Sequence, residues 1–188
     1  MKPRPQGRNR RLTGRARRAV AEMLRVDHAG EYGAVAIYRG QQAVFGQSPR
    51  TQAMADQLGE MKAEEQKHLD AFDRLLVERE VRPTAMMPLW NAAGYGLGVA
   101  TALMGQRAAH ACTEAVETVI EQHYASQAVA VEGDDPELAA TFREFRDDEL
   151  HHRDIAVEGG AQDAPGYGLL SRVIRAGCHA AIRVSEKI

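Results

Sequence analysis

The sequence predicts an all-α protein built as an up-and-down four-helix bundle, with one additional amphipathic helix at the C-terminal end. Apolar residues make up 44% of the 188 residues and aromatic residues only 5%, a composition that favours packed helices over a β-sandwich. Long stretches with helical periodicity alternate with short segments rich in Gly and Pro. The length suits one domain with a substantial buried core.

Four long helical patterns and one shorter one follow each other along the chain. The first covers about residues 13–45 and stops at the break GQSPR, and the second covers about 50–80. The third begins after MMPLWN and continues to about residue 131, where EGDDP follows. The fourth covers 136–158, beginning with a proline that suits a first helical turn, and the fifth covers 169–188. The two halves of the chain therefore look like a repeated helical hairpin.

Residues 1–18 are predicted to form a basic, disordered tail ahead of a domain that covers 19–188. This segment has eight Lys or Arg residues and no acidic one, whereas the whole chain has 24 basic and 26 acidic residues. An Arg-rich start also occurs in mitochondrial presequences, but the prolines and the scarcity of Ser favour a disordered tail. Because no aromatic residues are interleaved with the basic ones, nucleic acid is not an expected partner.

The segment EEQKH at residues 64–68 raises the question of which glutamate faces the core. At 100° per residue, Glu65 lies near the middle of the apolar stripe of the second helix, and His68 lies along its edge. Glu64 points well off the stripe and is predicted to lie at the surface. The stripe itself consists of Met54, Leu58, Met61, Leu69, Phe72 and Leu76.

The segment DDELHHRD at residues 147–154 repeats this arrangement in the fourth helix. Glu149 and His152 project from its apolar stripe, while Asp148 and His151 lie to the side. In the first helix Glu31 lies among the apolar positions Val20, Leu24, Val35 and Tyr38.

In the third helix Glu117 shares a face with Thr113, Tyr124 and Ala128. Glu114 is an alternative to Glu117 by spacing alone, although Glu114 and Glu121 are expected to be partly solvated.

These inward-facing acidic residues indicate a metal site. A buried, unpaired carboxylate is costly and normally becomes neutral or finds a cation. Lys and Arg are largely absent from the four stripes, so a pair of metal ions is the simplest source of positive charge. One Glu from each of two helices and a Glu-x-x-His from each of the other two is the ligand plan of di-iron carboxylate bundles. Carboxylate and imidazole ligands suit iron or manganese better than structural zinc. The predicted ligands are Glu31, Glu65, His68, Glu117, Glu149 and His152.

Three further residues are candidates for roles beside the metals. His28 precedes Glu31 by three residues and is expected to hydrogen-bond a ligand rather than to be one. Tyr124 lies two turns after Glu117, and it is either a core tyrosine or a group that moves electrons or positions substrate. The same alternatives apply to His123.

Several longer segments resemble one known family. They are RVDHAGEYGAVAIYRGQ, EEQKHLDAF, MPLWNAAGYGLG, ACTEAVETVIEQHYASQ and FRDDELHHRDIAVEGGA, and together they resemble the demethoxyubiquinone hydroxylases of ubiquinone biosynthesis. The resemblance covers residues 18–188 and implies a ferritin-like fold. It also implies that the same six residues bind two iron ions, with the four glutamates serving in catalysis. His151 and Glu114 depart from the family pattern, but neither is at a ligand position.

The resemblance implies an enzyme, a monooxygenase that uses O₂ to hydroxylate the ring of a polyprenyl benzoquinol. Electrons would come from NADH, directly or through the quinone, or from a reductase. No Gly-x-Gly-x-x-Gly segment follows a strand pattern, so no nucleotide-binding fold is expected. Two alternatives share parts of this pattern: a ferritin- or rubrerythrin-like protein that handles iron or peroxide, and a non-catalytic quinone- or lipid-binding partner. The absence of Cys-x-x-Cys sites counts against the first alternative.

A polyprenyl substrate implies contact with a membrane. Residues 83–106 contain no charged side chain, but their proline, asparagine and glycines argue against a simple membrane span. This segment is either a core helix or an interfacial, substrate-lining one. In the last helix basic residues flank an apolar side, as in interfacial helices. We expect peripheral attachment to the cytoplasmic face of a bacterial inner membrane, or to the matrix face of the mitochondrial one. A ubiquinone-biosynthesis complex and a homo-oligomer are the expected assemblies.

Overall fold

The computed structural model describes residues 14–187, and within this range the chain consists of α-helices joined by short connections, with no strand. The all-α prediction is therefore confirmed. Two short 3-10 turns, Pro49–Thr51 and Ala161–Asp163, lie in the connections. The helices are α1 (Gly14–Phe45), α2 (Gln52–Glu78), α3 (Met87–Leu103), α4 (Gln106–Val131), α5 (Pro136–Glu158) and α6 (Tyr167–Ser185).

Four of these helices form the bundle. Helix α1 packs against α2, α4 packs against α5, and α1 meets α4, so the bundle is made of two helical hairpins as the sequence predicts. Helix α3 lies on α1, and α6 lies on α4. The two added helices thus cover the same side of the bundle, the side on which α1 and α4 meet.

Two of the four apolar clusters in the described part of the chain lie on either side of the glutamates along the helices. One cluster contains Leu24, Phe72, Tyr124 and Phe142, all at most 1% exposed. The other contains Tyr38, Phe45, Leu58 and Met61. On each bundle helix the inward glutamate lies in sequence between the residues that enter one cluster and those that enter the other. Apolar packing therefore fixes the four helices on both sides of the glutamates.

The α4–α5 connection illustrates how the ends of the bundle helices are fixed. The side chain of Asp135 accepts a hydrogen bond from the backbone N–H of Leu138, and Pro136 occupies the first turn of α5. Arg79, just after α2, pairs with the same Asp135 at 2.6 Å. The predicted start of this helix is therefore correct, and its cap also links the two hairpins.

The third predicted helix is in fact two helices, and this prediction was wrong. Helix α3 ends at Leu103, and α4 starts at Gln106 after Gly105, whose φ of 110° only glycine adopts readily. The sequence did not indicate this break, because the uncharged residues around it fit a helix on either side. The fifth predicted helix starts two residues earlier than expected, at Tyr167, and ends at Ser185.

Helix α1 begins at Gly14, so residues 14–18, which the sequence assigns both to the basic tail and to the first helix, are helical. The rest of the predicted tail, residues 1–13, lies outside the described residues. None of the helices in the described part of the chain has the length and apolar character needed to cross a membrane.

Glu114 differs from its predicted solvated state. Its side chain is only 8% exposed and pairs with Arg175 of α6 at 2.8 Å. The helical wheel of α4 could not reveal this contact, because the arginine belongs to another helix, α6. This ion pair docks the N-terminal half of α6 on α4.

Glycines allow α3 to lie unusually close to α1. A Cβ atom added at Gly98 would lie 2.1 Å from the backbone oxygen of Ile37, and one added at Gly40 would lie 2.4 Å from the oxygen of Tyr95. Backbone atoms cannot move aside as side chains can. The contact between the two helices therefore requires hydrogen at both positions.

We expect Gly98→Ala to destabilise the protein by about 1–3 kcal/mol, because the added methyl group would force α3 away from α1. Gly96→Ala is the matched control, since Gly96 is in the same helix and a Cβ there meets nothing within 4 Å. That control should be neutral or stabilising by about 0.5–1 kcal/mol from helix propensity. Urea unfolding of both variants measures the difference, and equal stabilities would contradict the close α1–α3 contact.

Candidate metal centre

The six predicted ligands come together in the middle of the bundle. Their ligand atoms form two groups of four, and within each group all the atoms lie within 4.8 Å of one another. Glu65 and Glu149 belong to both groups. The first group is completed by Glu31 and His68, and the second by Glu117 and His152. Each group thus has its own glutamate and histidine, and the two groups share a pair of glutamates.

The atoms that face one another in this cluster have no hydrogen-bond partner. Both carboxylate oxygens of Glu65 and of Glu149 are buried and unpaired, as is one oxygen each of Glu31 and Glu117. The Nδ1 atoms of both histidines are also unpaired. In the described part of the chain, no Lys or Arg forms an ion pair with these four glutamates. The unpaired atoms are the donor set that two cations with mixed oxygen and nitrogen ligands require.

Burial and mutual repulsion act on the carboxyl groups of the cluster. Burial raises the pKa of Glu31 to about 7, and the charge of Glu65 adds to the shift. Burial, followed by the charge of Glu149, likewise raises the pKa of Glu117 well above its usual value. Ionisation of Glu31 and Glu117 at this site is therefore unfavourable unless positive charge is present.

Two opposing effects act on the pKa of each imidazole in the cluster. Burial lowers the pKa of His68, but the carboxylates of Glu149, Glu31 and Glu65 beside its ring outweigh burial, so that the pKa is raised overall. The same balance raises the pKa of His152 to about 12. In the absence of metal the histidines therefore hold protons and act as counter-ions to the glutamates. A metal ion that binds at Nδ1 would replace those protons.

Carboxylates from the opposite helix hold the outer edges of both histidines. His152 Nε2 of α5 lies 2.7 Å from Glu64 Oε2 of α2, and His68 Nε2 of α2 lies 3.0 Å from Asp148 Oδ2 of α5. Each hydrogen bond uses Nε2 and leaves Nδ1 directed into the cluster. Helices α2 and α5 therefore each orient the other's histidine.

Glu64 lies at the surface, as the sequence predicts, but the sequence did not show that it also contacts the site. Its side chain is 45% exposed, yet it hydrogen-bonds His152, and Asp148, at 53%, plays the same part for His68. The helical-wheel angle placed both residues off the apolar stripe, which is correct, but it could not show a contact across to another helix. The signal in the sequence is the acidic residue that immediately precedes each Glu-x-x-His.

Two buried tyrosines donate hydrogen bonds to the unshared glutamates. Tyr38 Oη donates to Glu117 Oε1 at 2.7 Å, and Tyr124 Oη donates to Glu31 Oε1. Burial and then the charge of the glutamate raise the pKa of each hydroxyl, so both stay protonated as donors. Sequence reasoning placed Tyr38 only among the apolar positions of α1. Its spacing, seven residues after Glu31, matches that of Tyr124 after Glu117 and could have identified it.

The other candidate residues lie at different distances from the cluster. Tyr124 contacts a predicted ligand directly, as described above. His28 Nε2 pairs with Asp73 Oδ1 of α2 at 2.9 Å rather than with one of the six residues, so its role at the metals stays a prediction. His123 Nε2 lies 2.9 Å from Gln127 Nε2.

An apolar cavity of about 370 Å³ lies beside the cluster, between α1, α3, α4 and α6. Residues on either side of Glu31 and of Glu117 line its floor, so the cavity and the cluster share the seam between α1 and α4. The cavity opens between α3 and α6, where Ala93 and Gly177 are exposed. Its walls include Trp90, Leu97, Val116, Ile120, Ile174 and Cys178.

We expect the free energy of unfolding of the metal-free protein to fall as the pH rises from about 5 to 8. A carboxyl group whose pKa is raised in the folded state binds more protons when folded, so the stability that protonated Glu31 contributes is lost between pH 4.5 and about 7. This shift alone corresponds to on the order of 3 kcal/mol. The raised pKa values of the histidines act in the same direction above pH 6.5.

Urea unfolding of chelator-treated protein at several pH values measures this dependence. Glu31→Gln should flatten the curve below pH 7, because the variant has no proton to lose. A stability that is constant or rises over this range would contradict the buried, uncompensated state of the glutamates.

Comparison with known proteins agrees with the geometry of the site. Residues 18–185 match the family model described as "Ubiquinone biosynthesis protein COQ7". The chain is 48% identical over 178 residues to the "NADPH-dependent 3-demethoxyubiquinone 3-hydroxylase, mitochondrial" of Mus musculus, covering 91% of this chain and 79% of the relative. It is 47% identical over 169 residues to the "3-demethoxyubiquinol 3-hydroxylase" of Rhodospirillum rubrum, covering 90% and 78%. With the "5-demethoxyubiquinone hydroxylase, mitochondrial" of Saccharomyces cerevisiae the identity is 37% over 181 residues, covering 88% and 77%. The chain belongs to the COQ7 family of ubiquinone biosynthesis proteins.

Proposed function

We propose that the protein is a di-iron monooxygenase that hydroxylates the ring of a 3-demethoxyubiquinol, as the names of its relatives describe for them. The observation that carries the proposal is the position of an apolar cavity beside a cluster of six potential metal-ligand side chains whose inward-facing atoms have no hydrogen-bond partner. The cluster alone would also suit a ferritin-like iron handler. The apolar cavity favours an organic substrate, since an iron ion does not bind to an apolar surface.

The ligand set favours iron. Glu31 and His68 would hold one ion, Glu117 and His152 the other, and Glu65 and Glu149 would lie between the two. When bound, two iron ions would together supply the two electrons that activate O₂. Tyr38 and Tyr124 fix the carboxylates that they contact, which leaves the second oxygen of each free for a metal. A reduced nicotinamide nucleotide is the source of electrons, used directly or through the quinone or a reductase.

The cavity suits the benzoquinol ring and the first part of its polyprenyl tail. Gly30 and Gly33 of α1 lie in its floor one turn or less from Glu31, so a flat ring there can approach the centre without a side chain in between. The apolar walls exclude water from the ring. The opening between α3 and α6 gives the tail a way out on the side of these two helices.

The surface around that opening suits the surface of an anionic bilayer. Leu89 and Leu103 of α3 are 51% and 73% exposed, and Leu169 and Val173 of α6 are 66% and 61% exposed. Arg172 and the other basic residues of α6 flank this apolar surface. We infer peripheral attachment of the domain, residues 19–188, to the cytoplasmic face of a bacterial inner membrane or the matrix face of a mitochondrial one. A ubiquinone-biosynthesis complex or a homo-oligomer could use the same surface.

The direct test is expression in cells that lack the last ring hydroxylation of ubiquinone biosynthesis, followed by mass spectrometry of the quinones. We expect demethoxyubiquinone to disappear and ubiquinone to form, and we expect Glu149→Ala to restore the accumulation. Demethoxyubiquinone that stays unconverted although the protein is folded and metal-loaded would refute the function.

We expect Glu65→Ala and Glu64→Ala to differ in severity. Glu65→Ala removes a ligand shared by both metals and should abolish tight binding of two iron equivalents together with activity. Glu64→Ala leaves the ligands in place but frees His152 Nε2, so the metal affinity should fall by roughly 10–100-fold with some activity retained. The matched control is Gln66→Ala, because Gln66 is exposed and bonds only Asp70.

Competition with a chelator, combined with iron analysis, measures these affinities. Two outcomes would contradict the assignment: equal losses in Glu64→Ala and Glu65→Ala, or an affinity of Glu64→Ala as high as that of Gln66→Ala.

A further inference from the structure

One buried carboxyl group has no part in the metal cluster. Asp27 lies one turn before Glu31 on α1, and its side chain is fully buried. Its Oδ1 accepts a hydrogen bond from Gln127 Nε2 at 2.9 Å, while Oδ2 has no partner. An amide is a neutral partner, so it does not compensate the charge of an ionised Asp27. Burial, and then the charge of Glu31, raise the pKa of this carboxyl well above its usual value.

His123 of α4 connects Asp27 to the surface of the protein. Its side chain is 23% exposed, and its Nε2 lies 3.5 Å from Asp27 Oδ1. Gln127 Nε2 lies 2.9 Å from the same ring nitrogen, which accepts that hydrogen bond while the imidazole is neutral. The other titratable groups that act on this pair are Glu31 on Asp27 and His179 of α6 on His123. From the surface inwards, the order is thus His123, Asp27 and the Glu31 side of the cluster.

The internal repeat of the bundle provides a comparison. A shift of 86 positions relates Glu31 to Glu117 and Tyr38 to Tyr124. The same shift takes Asp27 to Thr113, and it relates His123 to Ile37. The ligands and their tyrosine partners are thus duplicated, but the polar connection to the surface exists on one side only. The ligand plan does not require it, since the second half has the same ligands without it.

The other polar contacts between the cluster and the surface cannot deliver a proton to the reacting atoms. Glu64 and Asp148 reach the cluster only through the Nε2 atoms of His152 and His68. The Nδ1 atoms of those rings face the metal positions, and a metal-bound nitrogen has no free lone pair with which to relay a proton. The cavity at the α1–α4 seam is lined almost entirely by apolar side chains and offers no group that could carry a proton to the cluster.

We propose that His123 and Asp27 form the path by which protons from solvent reach the centre. The inference rests on the proposed hydroxylation. In that reaction O₂, two electrons from the nicotinamide reductant, two protons and a ring C–H give a ring C–O–H and water. A proton taken up by His123 passes from Nε2 to Asp27 Oδ1, and Asp27 releases its own proton from Oδ2 toward the Glu31 side of the cluster, where the reaction consumes two protons in forming water. His123 then takes up the next proton from solvent.

The test compares Asp27→Asn and His123→Gln with the wild type and with Thr113→Val as the matched control at the repeat-related position. Both test variants keep the shape and a hydrogen-bonding group but cannot pass a proton on. We expect two bound metal equivalents and an unchanged visible spectrum of the cobalt-substituted protein in all four. Turnover should fall roughly 10–100-fold in Asp27→Asn. The solvent deuterium isotope effect and the share of consumed O₂ released as hydrogen peroxide should both rise.

His123→Gln allows a second comparison because the side chain that it replaces is partly exposed. Added imidazole should restore turnover in His123→Gln, whereas it should not do so in Asp27→Asn, where the missing group is buried. Unchanged turnover and isotope effect in Asp27→Asn would overturn the proposal. A loss of bound metal in proportion to the loss of turnover would also overturn it, because it would indicate a structural role.

Failure of the proposed function is distinguishable from failure of the path. If the wild type forms no hydroxylated quinol, the function is wrong, and the path can still be examined in metal-free protein. There the infrared carbonyl band of protonated Asp27, identified by its loss in Asp27→Asn, should shift in D₂O more slowly in His123→Gln than in the wild type. Equal rates of exchange would overturn the path independently of any activity.

Discussion

The structure depends on placing four glutamates and two histidines in the dry interior of a helix bundle without a basic side chain beside them. Each unpaired buried carboxylate is costly, and the charges of neighbouring carboxylates raise the pKa values of Glu31 and Glu117. Two cations held by the cluster would turn this repulsion into attraction. Such ions would also stabilise the fold, because the side chains that could hold them come from four different helices. In the absence of metal, the apolar clusters on both sides of the glutamates hold the four helices together.

The internal repeat explains why the centre is nearly symmetric while its surroundings are not. Each hairpin supplies a glutamate with a tyrosine seven residues later, and a Glu-x-x-His preceded by an acidic residue. The chain then adds α3 after the first hairpin and α6 after the second, and both lie on the α1–α4 side. One side of the centre therefore borders an apolar cavity, and the other borders half-exposed carboxylates.

The meeting of the six predicted ligands could be anticipated from sequence because the inward placement of each depends on one helix alone, through its angle relative to the apolar stripe. Residues that act between helices could not be predicted in this way. Glu64 and Asp148 lie off their own stripes, and only the packing of α2 and α5 gives them a histidine to bond. Asp27 was overlooked because its partner, Gln127, is 100 residues away. The break at Gly105 was hidden by the apolar residues around it, which fit a helix equally well on either side.

The uncharged segment 83–106 shows why two alternatives that the sequence offered were not exclusive. A core helix and a helix that lines a cavity have different surroundings, and α3 has both: one face packs on α1 and other residues line the cavity. Gly94 and Gly98 bring its backbone against α1, where any side chain would collide with backbone atoms. A helix docked through glycines lies close to its neighbour, and it contributes larger side chains only at its edges. Trp90 and Leu97 therefore stand beside the α1 contact and form a wall of the cavity, while Leu89 and Leu103 face outwards. Gly94 belongs to both the close contact and the cavity lining, whereas the floor of the cavity is kept free of side chains by Gly30 and Gly33 of α1, at which a Cβ would meet nothing within 4 Å. Close packing of α3 and open space beside α1 therefore depend on different glycines of the same two helices.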